Sequence, residues 1–155
     1  MADRFMERAI ALSVENVRSG LGGPFAALVV RGGSILASGT NQVTVLSDPT
    51  AHAEMIAIRT AAQALRSFQL SDCELYTTCE PCPMCMGAIY WARLAKVYYA
   101  TTPGDAARIG FDDSLIYEQL KLPPGERAIP MLQTMREQAL EAFREWEKSP
   151  LKVRY

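Results

Sequence analysis

The chain has 155 residues, 49% hydrophobic and 21% charged, a composition that suits one soluble globular domain whose core needs no disulfide staples. Its formal net charge is -1 and no Lys/Arg cluster stands out, which disfavours a nucleic-acid or other polyanionic partner. No long uncharged apolar run and no basic-then-apolar leader occurs, so no membrane association is expected and the expected location is the cytoplasm.

In chain order, Ala2 to Arg18 reads as an amphipathic helix with Phe5, Met6, Ala9, Ile10, Ser13 and Val17 on one stripe, stopped by the Gly20 to Pro24 segment. Phe25 to Arg31 and Ile35 to Asn41 are apolar runs separated by Gly32-Gly33-Ser34, the pattern of a strand hairpin. Asp48-Pro49 offers an N-cap and a first helical residue, so a helix is expected from there to Arg66. Cys73 to Thr78 suits a strand, Pro83 to Arg93 a helix beginning at Cys82, and Lys96 to Ala100 another strand. Pro103-Gly104 and Leu122 to Gly125 mark loops, Ile129 to Gln133 reads as a last strand, and Arg136 to Lys148 as a last helix. Strand, strand, helix, strand, helix, strand is the order of an α/β domain whose crossover helices cover a partly parallel sheet.

The chemistry concentrates in two short stretches. Cys73, Cys79, Cys82 and Cys85 fall within thirteen residues, and the two-residue gap of Cys82-Pro-Met-Cys85 lets both sulfurs face one metal ion. Cys73 and Cys79 share strand parity and read as packing residues. The single histidine, His52, stands two residues before Glu54. Alone, such a histidine is more often structural. A thiolate pair at a second helix start changes that reading, provided the strands that precede the two helices are neighbours in one sheet. One nitrogen and two sulfurs are then three ligands, which leaves the fourth tetrahedral position of a zinc ion for water. Residues two apart on a helix diverge by about 200°, so His52 and Glu54 can serve one site only beyond the N-terminal end of their helix. Glu54 reads as a free carboxylate that moves protons beside the metal rather than ligating it.

His52-Ala-Glu54 followed by Pro81-Cys82-Pro-Met-Cys85 is the H-x-E, P-C-x-x-C mark of zinc deaminases acting on bases. The chain resembles the cytidine-deaminase-like superfamily, and within it the small bacterial guanine deaminases. The resemblance lies in Gly23-Pro-Phe-Ala26, Asn41, Asp48-Pro-Thr-Ala-His-Ala-Glu54, Tyr76 to Cys85, Gly87 to Arg93 and Gly110-Phe-Asp-Asp-Ser114. It implies a three-layer α/β/α fold with a central mixed sheet, one zinc ion per subunit, and hydrolysis of guanine to xanthine and ammonia. It also implies base contacts from Phe25 by stacking, from the Asn41 amide, and from Asp113, or from Asp112 if the register differs by one. The backbone N–H of Ala53 and the ring of Trp91 join that expected set, and Glu80 is expected to orient a ligand or the helix start.

A single domain, 1–155, is expected, with 123–155 an extension exchanged in a homodimer. In that arrangement Leu151-Lys-Val-Arg-Tyr155 resembles a lid bearing Tyr155, with Glu141 or Glu145 of the last helix as further residues expected to reach a site. Rival readings are a tRNA adenosine deaminase, which should present a basic approach surface, and a cytosine or aminotriazine deaminase. Outside enzymes, the alternative is a structural zinc module.

Overall fold

The computed structural model describes residues 2–155, which divide into two compact units, one running to Asp113 and the other Ser114–Tyr155. The first contains α1 (Ala2–Arg18), β1 (Ala26–Arg31), β2 (Ser34–Thr40), α2 (Val43–Leu46), α3 (Ala53–Leu65), β3 (Cys73–Cys79), α4 (Pro83–Ala92), β4 (Lys96–Thr101) and α5 (Pro103–Arg108). Its four-stranded sheet has the order β2-β1-β3-β4, with β1 antiparallel to both neighbours and β3 parallel to β4. The β1–β2 turn passes through Gly32 and Gly33 at φ 56° and 75°, the left-handed pair a tight hairpin needs.

Alternation along β1 builds two cores. Leu28 and Val30 pack with Phe5 and Ala9 of α1 and with Tyr76, which stacks on Tyr98 at 4.5 Å. Ala27 and Val29 face the other way, onto Ala53, Ala57 and Ala61 of α3 and Ile89 of α4. The mixed sheet between α1 and the α3–α4 layer is the expected three-layer arrangement. Alanine every fourth residue lets α3 lie close on the sheet. At Gly39 of β2 the approach is closest, since a Cβ there would stand 2.2 Å from the Ala53 carbonyl oxygen. The start of α3 is thereby pinned against β2.

The second unit holds α6 (Ser114–Lys121), a 3-10 turn at Pro124–Glu126 and α7 (Arg136–Lys148). Every one of its residues is exposed or half-buried.

Four local expectations are corrected. Helix α3 begins at Ala53, not at Asp48-Pro49, because the Asp48 carboxylate accepts hydrogen bonds from the Thr50 N–H at 2.8 Å and hydroxyl at 2.7 Å, closing a local turn. Residues 129–133 form no strand: Pro130 lacks a donor, and Ile129 and Leu132 are each 83% exposed. Pro103-Gly104 opens α5, where Thr102 and Asp105 form a capping box. On α1 the inward stripe is Phe5, Ala9, Ser13 and Asn16, while Ile10 and Val17 are exposed.

No helix among the described residues is long and apolar enough to cross a membrane.

Candidate functional site

The strands that lead into α3 and α4 are not neighbours, contrary to the condition drawn from the sequence, since β1 lies between β2 and β3. They still deliver their helices to one place. Both run antiparallel to β1, so β2 and β3 are parallel to each other and end at the same edge of the sheet. Helices α3 and α4 therefore start side by side and pack against one another.

His52 and Cys82 are the N-cap residues of these helices, each in extended conformation (φ -68°, ψ 155° and φ -65°, ψ 168°), and neither side chain caps its own helix. An N-cap side chain ordinarily accepts a bond from its first turn; here both are turned to another use. The extended backbone of His52 also resolves the divergence from Glu54, because only Glu54 lies inside the helix. Pro83 at the first helical position sets the turn that brings Cys85 around beside Cys82.

The His52 Nδ1 lies 3.6 Å from Cys82 Sγ and 3.5 Å from Cys85 Sγ, and the three ligating atoms all fall within 4.8 Å of one another. Cys85 is buried, and the other two residues are half-buried. The Cys85 thiol beside it, together with His52, holds Cys82 down at about 4 against the opposing effect of burial. Cys85 is driven far above the ordinary thiol range, first by Cys82 and then by burial. His52 is raised, first by its hydrogen bond with Cys82. Two sulfurs at the N-terminus of α4, beside one imidazole at the N-terminus of α3, form a donor set that fits zinc.

Glu54 is 6% exposed. Its Oε1 accepts a hydrogen bond from the Thr77 hydroxyl at 2.9 Å, and its Oε2 accepts one from Cys85 Sγ at 3.5 Å. Burial raises its pKa, so the carboxyl sits nearer to neutral proton exchange than a surface glutamate does. Thr77 lies outside the residues that the sequence marks for the site. Its parity with Leu75 on β3 put it on the α3 side of the sheet, which was the available signal.

Asn41 is 8% exposed and follows β2; its Oδ1 faces the N–H groups of Gly23 and Val43, each at 3.4 Å. Phe25 meets Phe111 edge-on at 5.0 Å between ring centres, an aromatic partner absent from the sequence-based set. Asp113 is half-buried and Asp112 exposed. Desolvation raises the Asp113 pKa, and the negative charges of Cys82, Asp112 and Glu80 add to it. Asp113 thus lies within electrostatic reach of the sulfur cluster. The Ala53 backbone N–H, in the first turn of α3, has no partner within its helix. Cys73 and Cys79 stay outside the cluster, with Cys79 Sγ directed at the Thr102 carbonyl at 3.7 Å. Trp91 is 65% exposed on the last turn of α4, about 9 Å of helical rise beyond Cys85. Glu141, Glu145 and Tyr155 belong to the second unit, where each is exposed.

Residues 1–101 match the family model of the cytidine and deoxycytidylate deaminase zinc-binding region. The chain is 50% identical over 153 residues to the guanine deaminase of Bacillus subtilis (strain 168), covering 99% of this chain and 98% of that protein. A solved structure of Bacillus subtilis guanine deaminase superposes with a TM-score of 0.96 over the same shares of the two chains. A solved structure described as guanine deaminase from Nitrosomonas europaea is 32% identical, with a TM-score of 0.66 over 89% of this chain and 70% of the other. The tRNA-specific adenosine deaminase of Aquifex aeolicus is 46% identical over 77 residues, 50% of this chain and 51% of that protein.

Proposed function

The chain belongs to the cytidine and deoxycytidylate deaminase zinc-binding family, and from that premise we propose that it hydrolyses guanine to xanthine and ammonia. The observation that carries the choice of base is extent. Identity to a guanine deaminase runs through 99% of the chain, whereas the Aquifex aeolicus adenosine deaminase matches half of it. With a net charge of -1, the chain also lacks the basic excess that an RNA substrate would favour.

His52, Cys82 and Cys85 hold zinc, which when bound lowers the pKa of a coordinated water to about 7. Glu54 moves the protons. Its carboxylate accepts a proton from the attacking water and delivers it to the ring nitrogen adjacent to the carbon that bears the exocyclic amine. It then takes the remaining proton of the hydroxyl on that carbon and gives it to the amine, which leaves as ammonia as the C–N bond breaks and the carbonyl forms. Thr77 keeps one carboxylate oxygen fixed, so that the other is the one that exchanges protons.

Phe25 stacks on the base, with its own ring steadied by Phe111. Because the Asn41 oxygen is occupied by backbone donors, what this amide offers the purine is its N–H pair. Asp113, an acceptor only, reads the N–H groups of guanine, and the Ala53 N–H supports charge developing at the reacting carbon. Trp91 is kept in the proposed base-binding set by the family resemblance, and Tyr155 joins it from the exchanged C-terminal segment of a cytoplasmic homodimer. The apolar side chains that the second unit leaves uncovered support that assembly.

Steady-state assays on guanine, adenine, cytosine and an adenosine-containing tRNA loop test the reading. Turnover of guanine is expected; turnover of the RNA alone would reject it.

A further inference from the structure

Asn16 lies in the last turn of α1 and is 2% exposed. Its Nδ2 donates to two carbonyl oxygens from separate parts of the chain, Gly23 and Asn41, each at 2.9 Å. Both N–H groups of one planar amide are thus used to fix the spacing between the loop before β1 and the end of β2. The same two segments meet again where the Asn41 N–H donates to the Phe25 carbonyl at 3.0 Å and the Gly23 N–H faces Asn41 Oδ1 at 3.4 Å. Their backbones are in such close approach that a Cβ at Gly22 would stand 2.1 Å from the Asn41 carbonyl oxygen.

The other end of the Asn16 amide is unsatisfied. Its Oδ1 is buried without a hydrogen-bond partner among the described residues. A buried orphan acceptor disfavours the folded state, and leucine, of similar size, would remove it. What only the amide supplies at this position is the pair of donors, which hold the backbone of Asn41 itself and of Gly23, two residues before Phe25. Asn41 and Phe25 are the two residues proposed above to contact the base.

We infer that Asn16 is a positioning residue for base recognition, setting the Asn41 amide and the Gly22–Phe25 loop without touching the base. This inference rests on the guanine deaminase reading. It assigns α1, on the face of the sheet opposite the metal ligands, a part in substrate affinity.

Kinetics of Asn16→Leu on guanine test it. The KM should rise about tenfold with kcat nearly unchanged, the split expected when ground-state and transition-state binding are lost together. In the double variant with Asn41→Ala, the two losses should fail to add, because Asn16 acts through Asn41. An unchanged KM beside a shifted melting temperature, or fully additive losses, would overturn the inference. If Asn16→Leu does not fold, Asn16→Ser retains one donor and should give a smaller rise in KM; wild-type KM there overturns it equally. Should the wild-type protein leave guanine intact, the functional reading fails on its own. The positioning role is then read from the Asn41 side-chain amide resonance, which shifts in the Asn16 variants if the inference holds and stays in place if it does not.

Discussion

The two units of this chain use apolar residues in opposite ways. Up to Asp113, valine, leucine and alanine are sealed on both faces of a sheet, and Leu28, Val29 and Leu75 are at most 1% exposed. From Ser114 onward no residue is buried, and Ile129, Leu132 and Leu151 are each at least 83% exposed. The metal ligands, Glu54 and Asn41 all stand on the sealed unit, where close packing holds rotamers fixed. The second unit has amphipathic helices without a core of its own, and its apolar side chains stay exposed.

The largest difference should come from the sealed unit's own chemistry. Glu54→Gln should retain zinc and the folded state while kcat for guanine falls by about 10² to 10⁴, the usual worth of a positioned proton carrier. Metal analysis beside steady-state rates checks this, and a full rate in that variant would remove Glu54 from the mechanism. Next in size, Leu75→Ala should cost about 2–5 kcal/mol in denaturant unfolding, the range for deleting a buried leucine side chain.

A pH scan sharpens the same contrast. Tyr76 is pushed up to about 12, first by burial and then by its hydrogen bond to Glu74. With an unfolded value near 10, folding favours the neutral phenol. Its contribution is complete below about pH 10 and is lost as pH rises toward 12. Melting curves of wild type and Tyr76→Phe should therefore diverge only across that alkaline window; equal slopes throughout would remove the effect. The smallest change is expected from Leu132→Ala, within about 0.5 kcal/mol in a dilute monomer. In sedimentation, however, it should weaken self-association if the second unit lies on a partner. A core-sized stability loss in the monomer would break the comparison.

What could be read from residue order divides along the same line. Strands β1 to β4 and helices α3 and α4 follow from alternation, the glycine turn and Pro83, because burial on a sheet imposes a period. The pair Cys82 and Cys85 is legible from its two-residue gap, whereas His52 joins it through the resemblance of His52-Ala-Glu54 and Pro81-Cys82-Pro-Met-Cys85 to the zinc-deaminase mark. Spacing does not reveal that β2 and β3 end at one sheet edge with β1 between them. The start of α3 was misplaced because the Asp48 carboxylate is spent on Thr50, a choice between two equally local hydrogen-bond partners. Residues 129–133 have strand-like composition but pair with no strand, and Pro130 within them lacks a donor, which apolar composition does not reveal. Helix α5 has a signal in the sequence, a threonine three residues before Asp105 with Pro103 between them, which the Pro103-Gly104 pair masks as a loop. Asn16 carried no local mark at all: its two partners lie 7 and 25 residues away, and only the folded chain brings them together.

Zinc content measured against guanine turnover bears most directly on the claim that three side chains from two helix starts carry the reaction. Purified protein should contain one zinc per chain, lose turnover as a chelator removes it, and recover both when zinc is returned. Protein stripped of metal yet turning over guanine at the full rate would contradict the account.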